Sequence, residues 1–565
     1  MITNPFMKRA ILILFLSLIA NASVRAVDVT PLGSLAILDG GRKKPLDSFA
    51  RESLLKLTGR TTWQRQPDDR LTALAVLADM CLGTNDWTKA PIIRCSYQPL
   101  KERLGLSADR SFFTYAELAQ NAALHKIIAD IEARESQPDH SQKLENEATT
   151  LWNKLQLLDT LIDGKALRIV PRPPEAKGAW LLVTETARVY GTNSAPIMAA
   201  YTHLQNAYRL NDSTAFADAA AQLRAVVRQV SPGVYPAEDG IDRELLYNQI
   251  HPFRLAWIVF LFSFLIMLAA AGKSGIRRGF YWLALVFFAA GLGLEAFGFV
   301  LRCWIAGRPP VTNMYEVMIW MSFGTTLFAI VFELVYRRRY FALAAAAVSV
   351  LSLVLADNLP NVLNPTIQPL VPVLQSNYWL TVHVLTITLG YAAFLLAMGI
   401  GHIAMGYYVL KPEALNRIDE LTAFNYRTIQ VGVLFLTAGT ILGGLWADKA
   451  WGRFWGWDPK ETWALISVLC YLVVLHGRYA GWMGNFALNV ASVLCFQAIV
   501  MAAYGVNYVL GKGLHSYGFG VGGELAVASY VGAEFLIVAL AVWRFKMRQT
   551  HDLAPAIGET KSEVV

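Results

Sequence analysis

From Leu255 to near the C-terminus the chain is built from apolar runs long enough to cross a bilayer, about 20 residues each. Nine can be counted, at roughly 255–272, 279–300, 314–336, 341–356, 379–410, 428–446, 463–480, 486–508 and 524–543. Hydrophobic residues make up 55% of the chain and charged residues only 16%, which excludes an ordinary soluble protein. Residues 27–250 are polar and mixed, contain no such run, and are long enough for one extramembrane domain. The expected fold class is an all-α polytopic membrane protein, with about nine transmembrane helices after an exported, mainly helical N-terminal domain.

Residues 1–26 read as a secretory signal. Lys8 and Arg9 precede the apolar stretch Ala10–Ala20, and Val24-Arg25-Ala26 offers a small-residue cleavage site. A retained anchor is the rival reading, and both export residues 27–250. Basic residues give an independent test of orientation. With the first span running outside to inside, the inner loops and tail carry thirteen basic residues, including Arg337, Arg338 and Arg339; the outer loops of the membrane part carry six. The same asymmetry accounts for much of the +8 net charge, so nucleic acid is not needed as a partner. These readings put the N-terminal domain on the outer side of the membrane.

Apolar spacing predicts helices in the exported domain at 46–58, 70–82, 113–135, 141–162, 194–210 and 213–230, with one short strand candidate at Trp180–Val183. Gly40-Gly41-Arg42-Lys43-Lys44-Pro45-Leu46-Asp47-Ser48 reads as a turn into a helix capped by Asp47 or Ser48. Cys81 and Cys95 lie where a disulfide is permissible, though spacing does not show that they meet. Cys303, Cys470 and Cys495 read as packing residues, and His125, His140 and His203 as scattered surface histidines.

The segment from Trp446 to Glu461 holds four of the sixteen tryptophans, and Trp463 follows. An interfacial belt needs one or two indoles per helix end, not a Gly-spaced run ending in Asp-Pro. The segment reads as an aromatic platform at the outer membrane surface, with room beside the glycines for a flat ligand such as a porphyrin. His383 and His515 fall on the same side, and neutral imidazoles are strong axial ligands for haem iron. His476 lies eighteen residues past Asp458, roughly 20–27 Å deeper along a helix, and His402 lies at similar depth. Glu295 is placed to pair with Arg302, and Glu333 with Arg337 four residues on.

Four separated motifs now occur in order. Trp451-Gly452-Arg453-Phe454-Trp455-Gly456-Trp457-Asp458-Pro459-Lys460-Glu461-Thr462-Trp463 resembles the WWD signature of haem-handling membrane proteins. Gly307-Arg308-Pro309-Pro310-Val311-Thr312-Asn313-Met314-Tyr315-Glu316, Leu475-His476 and His515-Ser516-Tyr517-Gly518 complete the resemblance to the CcsA (ResC) family, the membrane component of system II cytochrome c synthase. It covers about 279–543, and the stretch near Arg42 resembles the exported segment ahead of CcsA in fused CcsB–CcsA proteins.

The resemblance implies a division into 1–26 (signal or anchor), 27–250 (exported), 251–278 (first span and inner loop), 279–545 (haem-handling, with the WWD segment at 446–463) and 546–565 (cytoplasmic tail). It implies a holocytochrome c synthase that moves haem b outward and attaches it by thioether bonds to the Cys-x-x-Cys-His motif of an apocytochrome c. His383 and His515 correspond to the outer axial ligands and His476 to the inner-site histidine. Asp458 joins the two outer histidines as a catalytic candidate. Trp451, Trp455, Trp457 and Trp463 would cover the haem faces, and Arg453 and Lys460 would meet its propionates. The expected partners are a CcsB/ResB-type membrane protein, the apocytochrome, thiol-reducing proteins and the lipid bilayer. The chain has no recognisable CcsB portion, so either a partner or His402 completes the inner site. The rival functions are a haem exporter serving a separate ligase, and a non-haem transporter coupled to protons through its histidines.

Overall fold

The computed structural model describes residues 27–66, 69–133, 143–174, 178–270, 275–337, 340–360, 362–370, 376–510, 515 and 522–553. The signal segment 1–26, His140, Ser516-Tyr517-Gly518 and the last residues of the tail, 554–565, lie outside them. The described residues form two compact units, one within 27–245 and the other from 246 onward together with Lys143.

In the first unit, strands β1 (Ala36–Asp39) and β2 (Arg42–Pro45) pair antiparallel, with Ala36 opposite Pro45. Gly40 and Gly41 turn the hairpin at φ of 56° and 80°, the backbone that a two-residue turn of this hand requires. A second short hairpin follows, Thr62–Gln66 with Asp69–Thr72, and Ile93–Arg94 pairs antiparallel with Phe112–Phe113 across an intervening helix, Gln98–Arg103. None was expected, and Trp180–Val183 contributes only the Val170–Leu181 bridge. Helix α1 (Leu46–Thr58) starts one residue before the expected caps. Pro45 occupies the N-cap with no side-chain bond, and Asp47 instead pairs with Arg51 at 2.7 Å. Helices α2 (Ala73–Leu82), α3 (Lys143–Ile162), α4 (Ala195–Arg209) and α5 (Ser213–Val230) fall where apolar spacing put them. The expected helix 113–135 is broken in two, Tyr115–Ala119 and Ala122–Glu132, because Asn121 caps a new start.

Charge from the Arg42 motif is buried rather than solvated. Lys44, 2% exposed, reaches Glu52 at 2.5 Å and Asp39 at 2.7 Å, while Arg42 grips both Glu244 oxygens at 2.7 and 2.8 Å. Cys81 and Cys95 are separate free thiols, and burial pushes Cys81 up to about 12, so it is unreactive.

In the second unit nine helices among the described residues are long and apolar enough to cross a membrane. They are α6 (Pro252–Ala269), α7 (Gly275–Ala306), α8 (Met314–Tyr336), α9 (Tyr340–Asn358), α10 (Leu385–Leu410), α11 (Leu415–Trp451), α12 (Pro459–Tyr479), α13 (Asn485–Val500, which spans together with its π-helical continuation to Leu510) and α14 (Glu524–Leu553). Helix α10 is central and packs against α8, α9, α11, α13 and α14. Helix α11 runs well beyond the expected 428–446: 37 residues rise about 55 Å, so its last turns carry Trp446 and Trp451 clear of a bilayer core.

Both expected intrahelical acid–base pairs are replaced by contacts between helices. Glu295 accepts from Ser322 Oγ at 2.6 Å and Thr326 Oγ1 at 2.9 Å on α8. Arg302 instead meets Glu316, with Nε at 2.9 Å and Nη2 at 2.8 Å from Oε1. Glu333 accepts from the Tyr281 hydroxyl and from Ala342 N, while Arg337 ends α8 in a left-handed conformation. An i,i+4 or i,i+7 spacing competes poorly with a partner helix when no water is available to solvate the alternative.

Candidate functional site

One end of the second unit encloses a cavity of about 160 Å³. Its walls come from the loop before α8, the start of α10, the end of α11, the 454–461 turn, Asn507 and His515. His383 sits in a π-helical turn, Leu380–Val384, that leads into α10; Asn507 sits in a second, Met501–Leu510, that continues α13. Such turns shift a side chain's register and gather at functional sites.

The two histidines are prepared alike. His383 Nδ1 lies 2.8 Å from Gly439 O on α11, and a carbonyl can only accept, so Nδ1 carries the proton. His515 Nδ1 lies 3.0 Å from Asp458 Oδ1 and donates in the same way. Each ring therefore keeps Nε2 as a lone-pair donor, and both rings line the same cavity. Packing fixes them further. His383 stands against Trp446 at 5.8 Å, and His515 stands edge-on to Trp451 at 5.1 Å. A Cβ at Gly443 would fall 2.6 Å from His383 Cε1, so only glycine lets this ring approach α11.

Asp458, 6% exposed, is the N-cap of α12 and also accepts from Lys460 N at 2.9 Å. Pro459 takes the first helical position, and Glu461 closes a capping box while holding Gly456 N at 2.8 Å. Half of the Trp-Asp-Pro-Lys-Glu motif is thus helix-start chemistry that delivers Asp458 to His515. Lys460 turns inward to Asn507 Oδ1 at 3.1 Å. The glycines do backbone work instead of opening ring faces. Gly452 ends α11 at φ 70°, and Gly456 lies directly under the Arg453 guanidinium.

Of the expected site residues, His383, His515, Trp451, Trp455 and Lys460 line the cavity and Asp458 stands behind His515. Arg453, Trp457 and Trp463 do not line it. Trp457, at φ 55°, is turned outward and 71% exposed, with its ring edge-on to Trp455 at 5.9 Å. His476 lies at the far end of α12, about 24 Å from Lys460 by helical rise, and is exposed. Phe454, Trp446 and Asn507 line the cavity without having been chosen, and Trp379 stacks on Trp446 at 6.4 Å. Trp446 was legible in principle, since a helix continued through 451 puts 443, 446, 447 and 450 on one face.

Arg302 and Glu316 support the 311–317 part of the wall from behind. Glu316 Oε2 accepts from Thr312 N and Oγ1, both at 2.7 Å, and Asn313 caps α8 by accepting from Glu316 N. Arg302 Nη1 reaches Tyr247 OH at 3.1 Å and Pro365 O at 3.0 Å. Neither charged residue has measurable side-chain exposure beyond 1%, so the 308–314 loop hangs on a dry ion pair.

A family model for Cytochrome C assembly protein matches residues 311–515, from this loop to His515. The nine helices and the cavity thus belong to a polytopic membrane protein of cytochrome c biogenesis. The chain is 35% identical over 254 residues to the cytochrome c biogenesis protein CcsA of Prochlorococcus marinus (strain NATL2A), covering 39% of this chain and 80% of that one. To CcsA of Synechococcus sp. (strain CC9311) it is 34% identical over 298 residues, covering 46% and 96%. It belongs to the CcsA family. It is also 29% identical over 500 residues to protein NrfI of Wolinella succinogenes, covering 85% of this chain, and it spans about half (53%) of NrfI's length. A match of that extent takes in much of residues 27–250 as well. The solved structure of Cytochrome c Heme Lyase CcmF is similar at 16% identity and a TM-score of 0.35, covering 52% of this chain and 50% of that one.

The cavity walls predict unequal roles for the tryptophans. Removing one stacking indole costs a flat ligand about 1–3 kcal/mol, so for haem held in this cavity Trp451→Ala or Trp455→Ala should weaken retention by roughly ten- to a hundredfold. Trp457→Ala should change it much less. Haem-to-protein ratio on the folded, inserted fraction checks this, and equal losses at all three positions would contradict the assignment.

Proposed function

We propose that this chain passes haem b from the membrane level of His476 to the cavity between His383 and His515, where it is joined to an apocytochrome c. The observation that carries the reading is the pair of histidines that line one tryptophan-bearing cavity, each with Nδ1 committed to a hydrogen bond and Nε2 left as the ring's lone-pair donor. Two such nitrogens suit the axial positions of a low-spin haem. At about 160 Å³ the cavity is smaller than the roughly 300–1,000 Å³ of typical ligand pockets. A porphyrin therefore enters with the 454–457 rings moved apart, or leaves part of its edge outside the protein. An exposed edge is what thioether formation needs. Each substrate cysteine adds its S–H across one vinyl group, the sulfur bonding one carbon and the hydrogen the other, with no net electron transfer. Both thiols belong to the Cys-x-x-Cys-His motif and must arrive reduced, which calls for thiol-reducing proteins. Lys460 is the cation at the cavity suited to a propionate; Arg453 is not at it.

For the inner level, the surroundings of the two membrane histidines favour a CcsB/ResB-type partner over His402. His402 uses both nitrogens, Nδ1 at 2.9 Å from Met398 O and Nε2 at 2.7 Å from Glu534 on α14. His476 bonds Leu472 O through Nδ1 and shares an outward face of α12 with Leu469 and Val473, 51% and 67% exposed. Such a face meets lipid or another helix. We place the cavity and the N-terminal domain on the periplasmic side of the inner membrane, on the signal-like segment and the basic-residue asymmetry.

Co-expression with an apocytochrome c and the partner tests the whole reading. Wild-type protein should yield covalent haem on the apocytochrome, and His476→Ala should lose both that product and the haem at the outer cavity. Haem in the cavity with no covalent product would favour an exporter serving another ligase. Unchanged yield from His476→Ala would remove the inner step.

A further inference from the structure

The two histidines differ in what stands behind them, and the difference sets an order of ligand exchange. His383 Nδ1 donates to a neutral peptide carbonyl, Gly439 O at 2.8 Å. His515 Nδ1 donates to a carboxylate, Asp458 Oδ1 at 3.0 Å, on a side chain 2% exposed. A carboxylate behind an imidazole raises its basicity and fixes its orientation; a carbonyl does the second far more than the first. We propose that Asp458 is a positioning residue that makes His515 the retained axial ligand, leaving His383 as the one displaced by the incoming histidine of the apocytochrome motif. The inference rests on the haem reading above.

Packing points the same way. The His383 ring lies close against α11 at Gly443 and is tied to that helix through Gly439 O, which opposes its following an iron drawn outward with the product. His515 is not on a transmembrane helix but in the connection between α13 and α14. Haem leaving the cavity thus breaks its bond to the fixed, weaker donor first. In the exchange one nitrogen lone pair replaces another on iron, and no electrons or protons need be supplied.

Asp458→Asn isolates the charge, because asparagine caps helices as well as aspartate and can still accept from His515 Nδ1. In haem-loaded protein with its partner, the variant should keep a low-spin spectrum while its reduction potential rises, since a less electron-rich ligand stabilises ferric iron less. Haem dissociation supplies the second readout. His515→Gly should lose haem roughly ten- to a hundredfold faster than His383→Gly, the range typical of losing a metal-ligand support. Placing Asp458→Asn in the His383→Gly background should remove most of that advantage. A low-spin wild-type spectrum with an unchanged potential in Asp458→Asn, or with His383→Gly losing haem the faster, would overturn the proposal and leave the haem reading standing. Absence of a low-spin spectrum from the loaded wild type would overturn the reading itself. Should Asp458→Asn fail to accumulate, the order of the two histidine variants decides alone.

Discussion

Arg302→Ala should cost this protein about 3–5 kcal/mol of stability, a large share of the roughly 5–15 kcal/mol by which folded domains exceed their unfolded states. The substitution strands Glu316 as an unpaired charge with 1% exposure, and frees Tyr247 OH and Pro365 O at once. It also releases the Thr312 loop from its anchor, so any folded fraction should have a disordered cavity wall and bind haem poorly. Arg302→Lys keeps the charge but not the planar fork that spans Glu316, Tyr247 and Pro365, and should fall between the two. Removing both charges, with Arg302→Met and Glu316→Gln together, should recover much of the stability without recovering the wall. Thermal unfolding in detergent, followed by tryptophan fluorescence, reads the first effect, and haem content of the folded fraction reads the second. An Arg302→Ala protein with a wild-type midpoint would show that the pair is not what holds this end of the bundle.

The contrast between Arg302 and the transmembrane spans shows what a sequence of this kind conceals. The spans were legible because twenty apolar residues in a row leave a chain few alternatives, and α2, α4 and α5 because their apolar residues recur at helical spacing. The hairpin at 36–45 was not, since Arg-Lys-Lys-Pro has no alternation and the strand exists only because Gly-Gly turns it back onto β1. Glu295 and Glu333 were matched to neighbours on their own helices, whereas their partners, Ser322, Thr326 and Tyr281, approach from other helices. Of the candidate site residues, His383, His515, Trp451, Trp455 and Lys460 come together at one cavity, with Asp458 behind His515. Trp457 does not, because a positive φ at that residue turns it outward, and nothing in the local pattern announces that turn. Asn507 went unseen for a related reason: a π-helical stretch changes which side chains of α13 face the cavity.

The central claim is that His383 and His515 hold haem in one cavity, and the absorption spectrum of the purified, haem-loaded protein tests it most directly. Wild-type protein with its partner should show a low-spin, bis-histidine spectrum. His383→Gly or His515→Gly should each abolish it by removing one Nε2, and the double variant should lose nearly all haem from this site. Glycine leaves an imidazole-sized gap in the wall while the opposite ligand and the tryptophans remain, so added imidazole should restore the low-spin spectrum in each single variant. Structural damage would not be repaired this way, because a small base replaces a ligand but not a fold. A bis-histidine spectrum that survives both substitutions unchanged, and that imidazole does not alter, would place the iron elsewhere and contradict the account.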